Sequence, residues 1–174
     1  MQLIKDFITE DEADAFINSY KMILRGNPSP GSERLNQKSC LWVGGYEYDG
    51  LAHGLSDMVT ELVDRIASQV EYGELYEPQW VVEYEAGAGL PLHCDYVDNE
   101  GCPVMTAILN FNIGIGEYVC ERGFVDLPER SLLVANTSSQ HGYAGDSLRD
   151  KWANRYSMLF RVDSFESEAL FGGS

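Results

Sequence analysis

The sequence predicts a mainly-β domain with flanking helices (α+β), a small barrel or jelly roll preceded by two helices. Three observations predict it. Two stretches before residue 75 repeat apolar side chains at helical spacing. After Tyr76 the chain changes to short runs of β-branched and aromatic residues broken by Gly, Asp, Asn and Pro. Two helices followed by many short strands is the pattern of an antiparallel β core covered by helices. With 174 residues, 44% of them apolar, the chain suits one domain over 1–174, helical support over 1–75 and β core over 76–165.

The first helix is expected from about Glu10 to Arg25. Thr9 with Glu12 forms a capping-box signature, and Ala13, Phe16, Ile17 and Tyr20 fall on one face. Gly26 to Ser32 carries turn chemistry and reads as a flexible loop, and Leu41 to Tyr48 reads as extended. The second helix is expected from about Leu51 to Val70, with Leu55, Val59, Leu62 and Ile66 on one side. Strands are then expected at Gln79–Glu85, Leu92–Asp95, Val104–Asn112, Gly116–Cys120, Ser131–Ala135 and Arg155–Val162.

Composition narrows the function classes. Twelve Lys and Arg against 28 Asp and Glu give a net charge of −16, which repels phosphate backbones and argues against nucleic-acid partners. No apolar run is long enough to span a bilayer, and the first residues lack the apolar stretch of a secretory signal. Cys40, Cys94, Cys102 and Cys120 form no CxxC pair, so free thiols in a reducing compartment are expected, with a soluble cytoplasmic protein as the default.

His93-Cys94-Asp95 is the first chemical signal. In a strand, residues two apart face the same way, so the imidazole and the carboxylate would point together. His141, 48 residues on, is the candidate third ligand, after about three strands that could wind once around a small barrel. Two His and one carboxylate on one face of a metal suit non-haem Fe(II) and leave positions open for chemistry. His53 has no apparent partner and reads as structural or solvated.

A keto-acid co-substrate at such an iron would need a cation and hydroxyl donors for its far carboxylate. In Arg155-Tyr156-Ser157-Met158-Leu159-Phe160-Arg161-Val162, period-2 alternation puts Arg155, Ser157, Leu159 and Arg161 on one face. A guanidinium can clamp a carboxylate with two parallel hydrogen bonds, and Ser157 can add a third. Tyr84 is a further candidate donor, and Lys151 is a rival clamp. The loop from about Gly26 to Cys40 is a candidate cover for the substrate.

Tyr84 to Asp95 fits Y-x-x-G-x-x-x-x-x-H-x-D, His141-Gly142 resembles a distal ligand, and Arg155-Tyr156-Ser157 resembles an R-x-S anchor. Together these resemble the 2-oxoglutarate/Fe(II)-dependent dioxygenase superfamily. Ile4 to Glu12 and Glu77 to Tyr84 resemble its prolyl 4-hydroxylase-like branch. The resemblance implies a double-stranded β-helix, a jelly-roll or cupin-like fold. It implies His93, Asp95 and His141 as metal ligands and catalytic residues together with Arg155. Tyr84, Arg155 and Ser157 would bind the co-substrate. The implied cofactors are Fe(II), 2-oxoglutarate and O2, with ascorbate as a further candidate.

The implied activity is hydroxylation of a peptidyl or amino-acid side chain, on a peptide, protein or small-molecule substrate. Leu90 and the Arg155 anchor depart from the prolyl 4-hydroxylase pattern, in which Lys151 has the usual clamp spacing. Tyr84, the HxD and Arg155 to Arg161 also resemble the AlkB-type nucleic-acid dealkylases, although Val82 stands where that branch has Asn. A dealkylase of nucleic acid or nucleotides is therefore an alternative. A non-catalytic cupin-like binding module is another.

Overall fold

The computed structural model describes residues 1–43, 53–69, 75–95, 105–145 and 153–162. Two antiparallel sheets lie face to face, and two helices cover the outer side of the larger one. In chain order the elements are β1 (Gln2–Ile4), α1 (Glu10–Gly26), β2 (Gln37–Val43), α2 (His53–Gln69), β3 (Leu75–Tyr84), β4 (Leu90–His93), β5 (Met105–Asn110), β6 (Ile115–Cys120), β7 (Gly123–Leu127), β8 (Ser131–Asn136), β9 (His141–Tyr143) and β10 (Arg155–Val162). The large sheet runs β1-β8-β5-β10-β3-β2, and the small one β4-β9-β6-β7. This is the predicted double-stranded β-helix architecture.

Alternation along the strands builds two cores. On β10, Tyr156, Met158, Phe160 and Val162 turn towards α1 and α2, where they meet Phe16, Tyr20, Leu55 and Ile66. Val82 and Tyr84 of β3, Leu133 of β8, Tyr118 of β6 and Tyr143 of β9 pack between the sheets, with Leu159 of β10 against them. Strands β5 and β8 are buried along their whole length, because both of their faces are covered.

The helix α1 starts as predicted. Thr9 Oγ1 accepts from the Glu12 N–H at 3.1 Å, and Glu12 Oε1 accepts from the Thr9 N–H at 3.0 Å. Glu12 also takes a 2.6 Å hydrogen bond from Arg65 Nη2, which ties α1 to α2.

Several expectations shift. Strands β1 and β2 lie inside the stretch read as helical support and form the two edges of the large sheet. β2 begins at Gln37 rather than Leu41, and the expected continuation to Tyr48 lies outside the described residues. β1, β7 and β9 are unpredicted: each has only three to five residues and is held by its neighbours. As a result four strands, not three, lie between His93 and His141 among the described residues. Residues 29–31 are pinned to β2, with Cys40 N–H donating to Ser29 O and Gly31 N–H to Lys38 O, so this part of the expected loop is ordered. Cys40, Cys94 and Cys120 are free thiols. Cys102, Lys151 and the His53 side chain lie outside the described residues.

Candidate metal centre and co-substrate pocket

His93 and His141 come together because β4 pairs with β9 and the two residues are direct cross-strand partners. Their ring centroids are 4.2 Å apart. Asp95 lies just beyond β4 rather than within it, so strand alternation alone does not aim its side chain. Its N–H donates to Thr137 O at 2.7 Å, and that bond sets its position. Asp95 Oδ1 then stands 3.7 Å from His93 Nε2 and 3.9 Å from His141 Nε2. One ligand atom from each of the three residues fits within 4.8 Å of the others.

Both rings are held in the tautomer a metal needs. His93 Nδ1 donates to Pro91 O at 2.7 Å, and His141 Nδ1 donates to Ser139 O at 2.9 Å. A carbonyl oxygen only accepts, so each Nδ1 carries the proton and each Nε2 presents its lone pair to the centre. Burial holds the His141 pKa below the ordinary imidazole value, which keeps the ring neutral. For Asp95, burial works upward, but the Arg161 charge and the Thr137 hydroxyl outweigh it and hold the carboxyl below its ordinary range. Two imidazole Nε2 atoms and one carboxylate oxygen therefore face one point.

Gly142 makes the pairing possible. Its φ is +153°, and a Cβ there would meet Leu90 O at 2.5 Å. β9 lies so close to β4 only because that side chain is missing.

The centre opens into a cavity of about 500 Å³. Its walls include Trp42, Trp80, Tyr84, Thr106, Arg161 and the segment from Pro30 to Ser32. A larger groove of about 1140 Å³ lies across the sheet beside α1, lined by Lys21, Lys38 and Glu83, but it contains none of the three ligands. Donor chemistry, not volume, locates the site.

Arg155 is 1% exposed and does not line the metal cavity. Its guanidinium carbon lies 4.6 Å from the Tyr84 ring centroid and 4.3 Å from that of Tyr143. Nη2 donates to Ala88 O at 3.4 Å. Burial lowers its pKa to about 10, so it stays charged at neutral pH. Burial pushes the Tyr84 hydroxyl up to about 12, so it stays a donor. Ser157 is buried two residues further along the same face.

Two neighbours were not singled out from the sequence. Tyr118 and Tyr143 lie on β6 and β9 with ring centroids 6.1 Å apart. Both hydroxyl oxygens are buried without a hydrogen-bond partner among the described residues. Two unmatched buried hydroxyls, one of them on the ring that packs against the buried Arg155 guanidinium, are the complement of an anionic ligand. Their only sequence signal is inward alternation on short strands. Arg161 also lines the cavity, from the inward face of β10.

No family model and no curated protein matches this chain. Solved structures do match. A prolyl hydroxylase from Trichoplax adhaerens, solved with a hypoxia inducible factor oxygen degradation domain peptide fragment, is 18% identical with a TM-score of 0.62. That match covers 97% of this chain and 86% of that one. The viral collagen prolyl hydroxylase of Paramecium Bursaria Chlorella virus-1, solved as a 2OG complex, is 16% identical with a TM-score of 0.59, covering 92% and 94%. A non-heme alpha ketoglutarate dependent epimerase from nogalamycin biosynthesis is 16% identical with a TM-score of 0.66, covering 93% and 76%. The chain has the double-stranded β-helix fold shared by these 2-oxoglutarate-dependent enzymes.

Proposed function

We propose that this chain is an Fe(II)- and 2-oxoglutarate-dependent oxygenase that hydroxylates a peptidyl or amino-acid side chain. The observation that carries this reading is the convergence of His93, Asp95 and His141 with both Nδ1 atoms tied back. The set of two nitrogens and one oxygen suits ferrous iron and leaves coordination positions open. When bound, the iron with 2-oxoglutarate supplies oxidative decarboxylation to succinate and oxygen insertion into a substrate C–H bond.

The chain's own residues bind, orient and exclude water. His93, Asp95 and His141 would hold the metal. Arg155 pairs with the far carboxylate of 2-oxoglutarate, and the unmatched hydroxyls of Tyr118 and Tyr143 donate to the same group. Tyr84 lines the cavity on the Arg155 side, and Ser157, buried on the same face of β10 as Arg155, would add a further hydroxyl. The segment from Pro30 to Ser32 closes one side of the cavity, and Trp42 and Trp80 close another. The fold neighbours include prolyl hydroxylases, which supports a peptide or cyclic amino-acid substrate.

Oxidative dealkylation of a nucleobase is the second reading. Trp42 and Trp80 sit edge to face with centroids 5.3 Å apart on the cavity wall, a surface suited to a planar ring. The charge of −16 weighs against a polynucleotide. The test is aerobic turnover with Fe(II), 2-oxoglutarate and peptide or nucleoside pools, read by succinate and by mass spectrometry. Products 16 Da heavier than a peptide support hydroxylation, and formaldehyde release from an alkylated base supports the second reading. Folded, iron-loaded protein that makes no succinate contradicts both.

A further inference from the structure

Asp95 has two oxygens, and only one of them faces the histidines. Oδ1 lies 3.7 and 3.9 Å from the two Nε2 atoms. Oδ2 is taken by Arg161 Nη1 at 2.7 Å. Arg161 is itself fixed. The same Nη1 donates to Thr106 Oγ1 at 2.7 Å and to Thr137 Oγ1 at 3.2 Å, and the two threonine hydroxyls bond each other at 2.7 Å. The Trp80 ring lies 5.3 Å from the guanidinium carbon. Thr137 closes the ring of contacts by accepting the Asp95 N–H at its carbonyl.

Regular pairing with β5 also places this arginine, since Arg161 stands directly opposite Thr106. Register between β10 and β3 slips between Leu159 and Arg161, so that Leu159 pairs with Trp80 but Arg161 with Tyr76. The extra residues lie on β3, so the bulge bends β3 and leaves the alternation of β10 intact. Pro78 lies within the slipped stretch of β3 and has no N–H to give the ladder.

Resting on the oxygenase reading above, we infer that Arg161 is a positioning residue that restricts Asp95 to one-oxygen metal binding. A carboxylate free at both oxygens can bind a cation through both. In a facial site the second oxygen would occupy a position that a chelating keto acid needs. By holding Oδ2, Arg161 keeps that position open. A purely structural ion pair predicts something different: its loss would weaken folding or metal binding and leave the coordination mode unchanged.

The experiment compares wild type with Arg161→Met, Arg161→Gln and Arg161→Lys, each loaded anaerobically with Mn(II). Metal affinity comes from chelator competition, 2-oxoglutarate affinity from calorimetry and carboxylate mode from crystal structures. The expected result is metal affinity within about threefold of wild type for Met and Gln. Their 2-oxoglutarate affinity should fall at least tenfold, with both Asp95 oxygens on the metal. Lys should recover most of the loss, because its ammonium still engages Oδ2. One-oxygen coordination in the Met and Gln variants overturns the inference, as does unchanged 2-oxoglutarate affinity. Loss of fold or metal in all three marks Arg161 as structural and overturns it too. A folded wild type that binds neither metal nor 2-oxoglutarate removes the oxygenase reading, and this inference with it.

Discussion

Replacing Tyr118 with Phe should move stability and ligand binding in opposite directions. The Tyr118 hydroxyl is buried and unmatched among the described residues, and burial raises its pKa, so it remains protonated. A buried polar group without a partner costs about 1–3 kcal/mol. Phe keeps the ring, which is 2% exposed, and removes that cost. For a chain of this size about 1 kcal/mol corresponds to roughly 2–4 °C in Tm, so the ligand-free variant should melt higher by at least that. If the hydroxyl donates to the 2-oxoglutarate carboxylate, its loss removes a hydrogen bond to a charged group. That bond is worth about 1.5–3 kcal/mol, or roughly tenfold or more in affinity. Ligand at about 100 times the wild-type Kd stabilises wild type by about 2.7 kcal/mol, and a variant binding tenfold more weakly by only about half as much. Melting curves of the Mn(II)-loaded proteins with and without 2-oxoglutarate read both effects. A Tyr118→Phe protein that melts lower without ligand, yet gains as much from ligand as wild type, refutes the reasoning.

Asp95→Ala should lose metal binding by at least a hundredfold and abolish succinate formation, checked by chelator competition and product analysis. Gly142→Ala should destabilise the chain by about 2 kcal/mol or more and weaken metal binding, because its Cβ would strike Leu90 O and push β9 from β4. Chemical denaturation reads the first effect and metal titration the second. Glu83 is a buried carboxylate whose burial works upward, but hydrogen bonds from Tyr156, Asn154 and Ser39 outweigh that and lower its pKa. A lowered folded pKa adds stability above the unfolded value near 4.5, and that stability is lost as pH falls through the folded pKa. Glu83→Gln should therefore cost about 2–3 kcal/mol at pH 7, and the gap to wild type should narrow below about pH 4.5 in denaturation series.

The helices and β10 were legible because each carries a long periodic signal. The capping box set the start of α1, and β10 spans the predicted residues. β9 was not legible: three residues, His141-Gly142-Tyr143, carry no period, and only the partners β4 and β6 make them a strand. The HxD spacing marked His93 and Asp95, and His141 followed because the chain has three histidines. Strand alternation does not by itself place Asp95, since a tertiary hydrogen bond to Thr137 positions it. Arg161 stands on the inward face of β10, but which carboxylate it meets depends on where Thr137 holds the Asp95 segment, which no local pattern announces. The Tyr118 and Tyr143 hydroxyls depend on how the small sheet sits over the large one, which is a property of packing.

The most direct measurement is an anaerobic titration of 2-oxoglutarate into the Fe(II)-loaded chain, followed in the visible range. A weak absorption band should grow and saturate at one 2-oxoglutarate per iron and one iron per chain, and it should be missing in Asp95→Ala and His141→Ala. Folded, iron-loaded protein that gives no band, or a band that survives either substitution, contradicts the account.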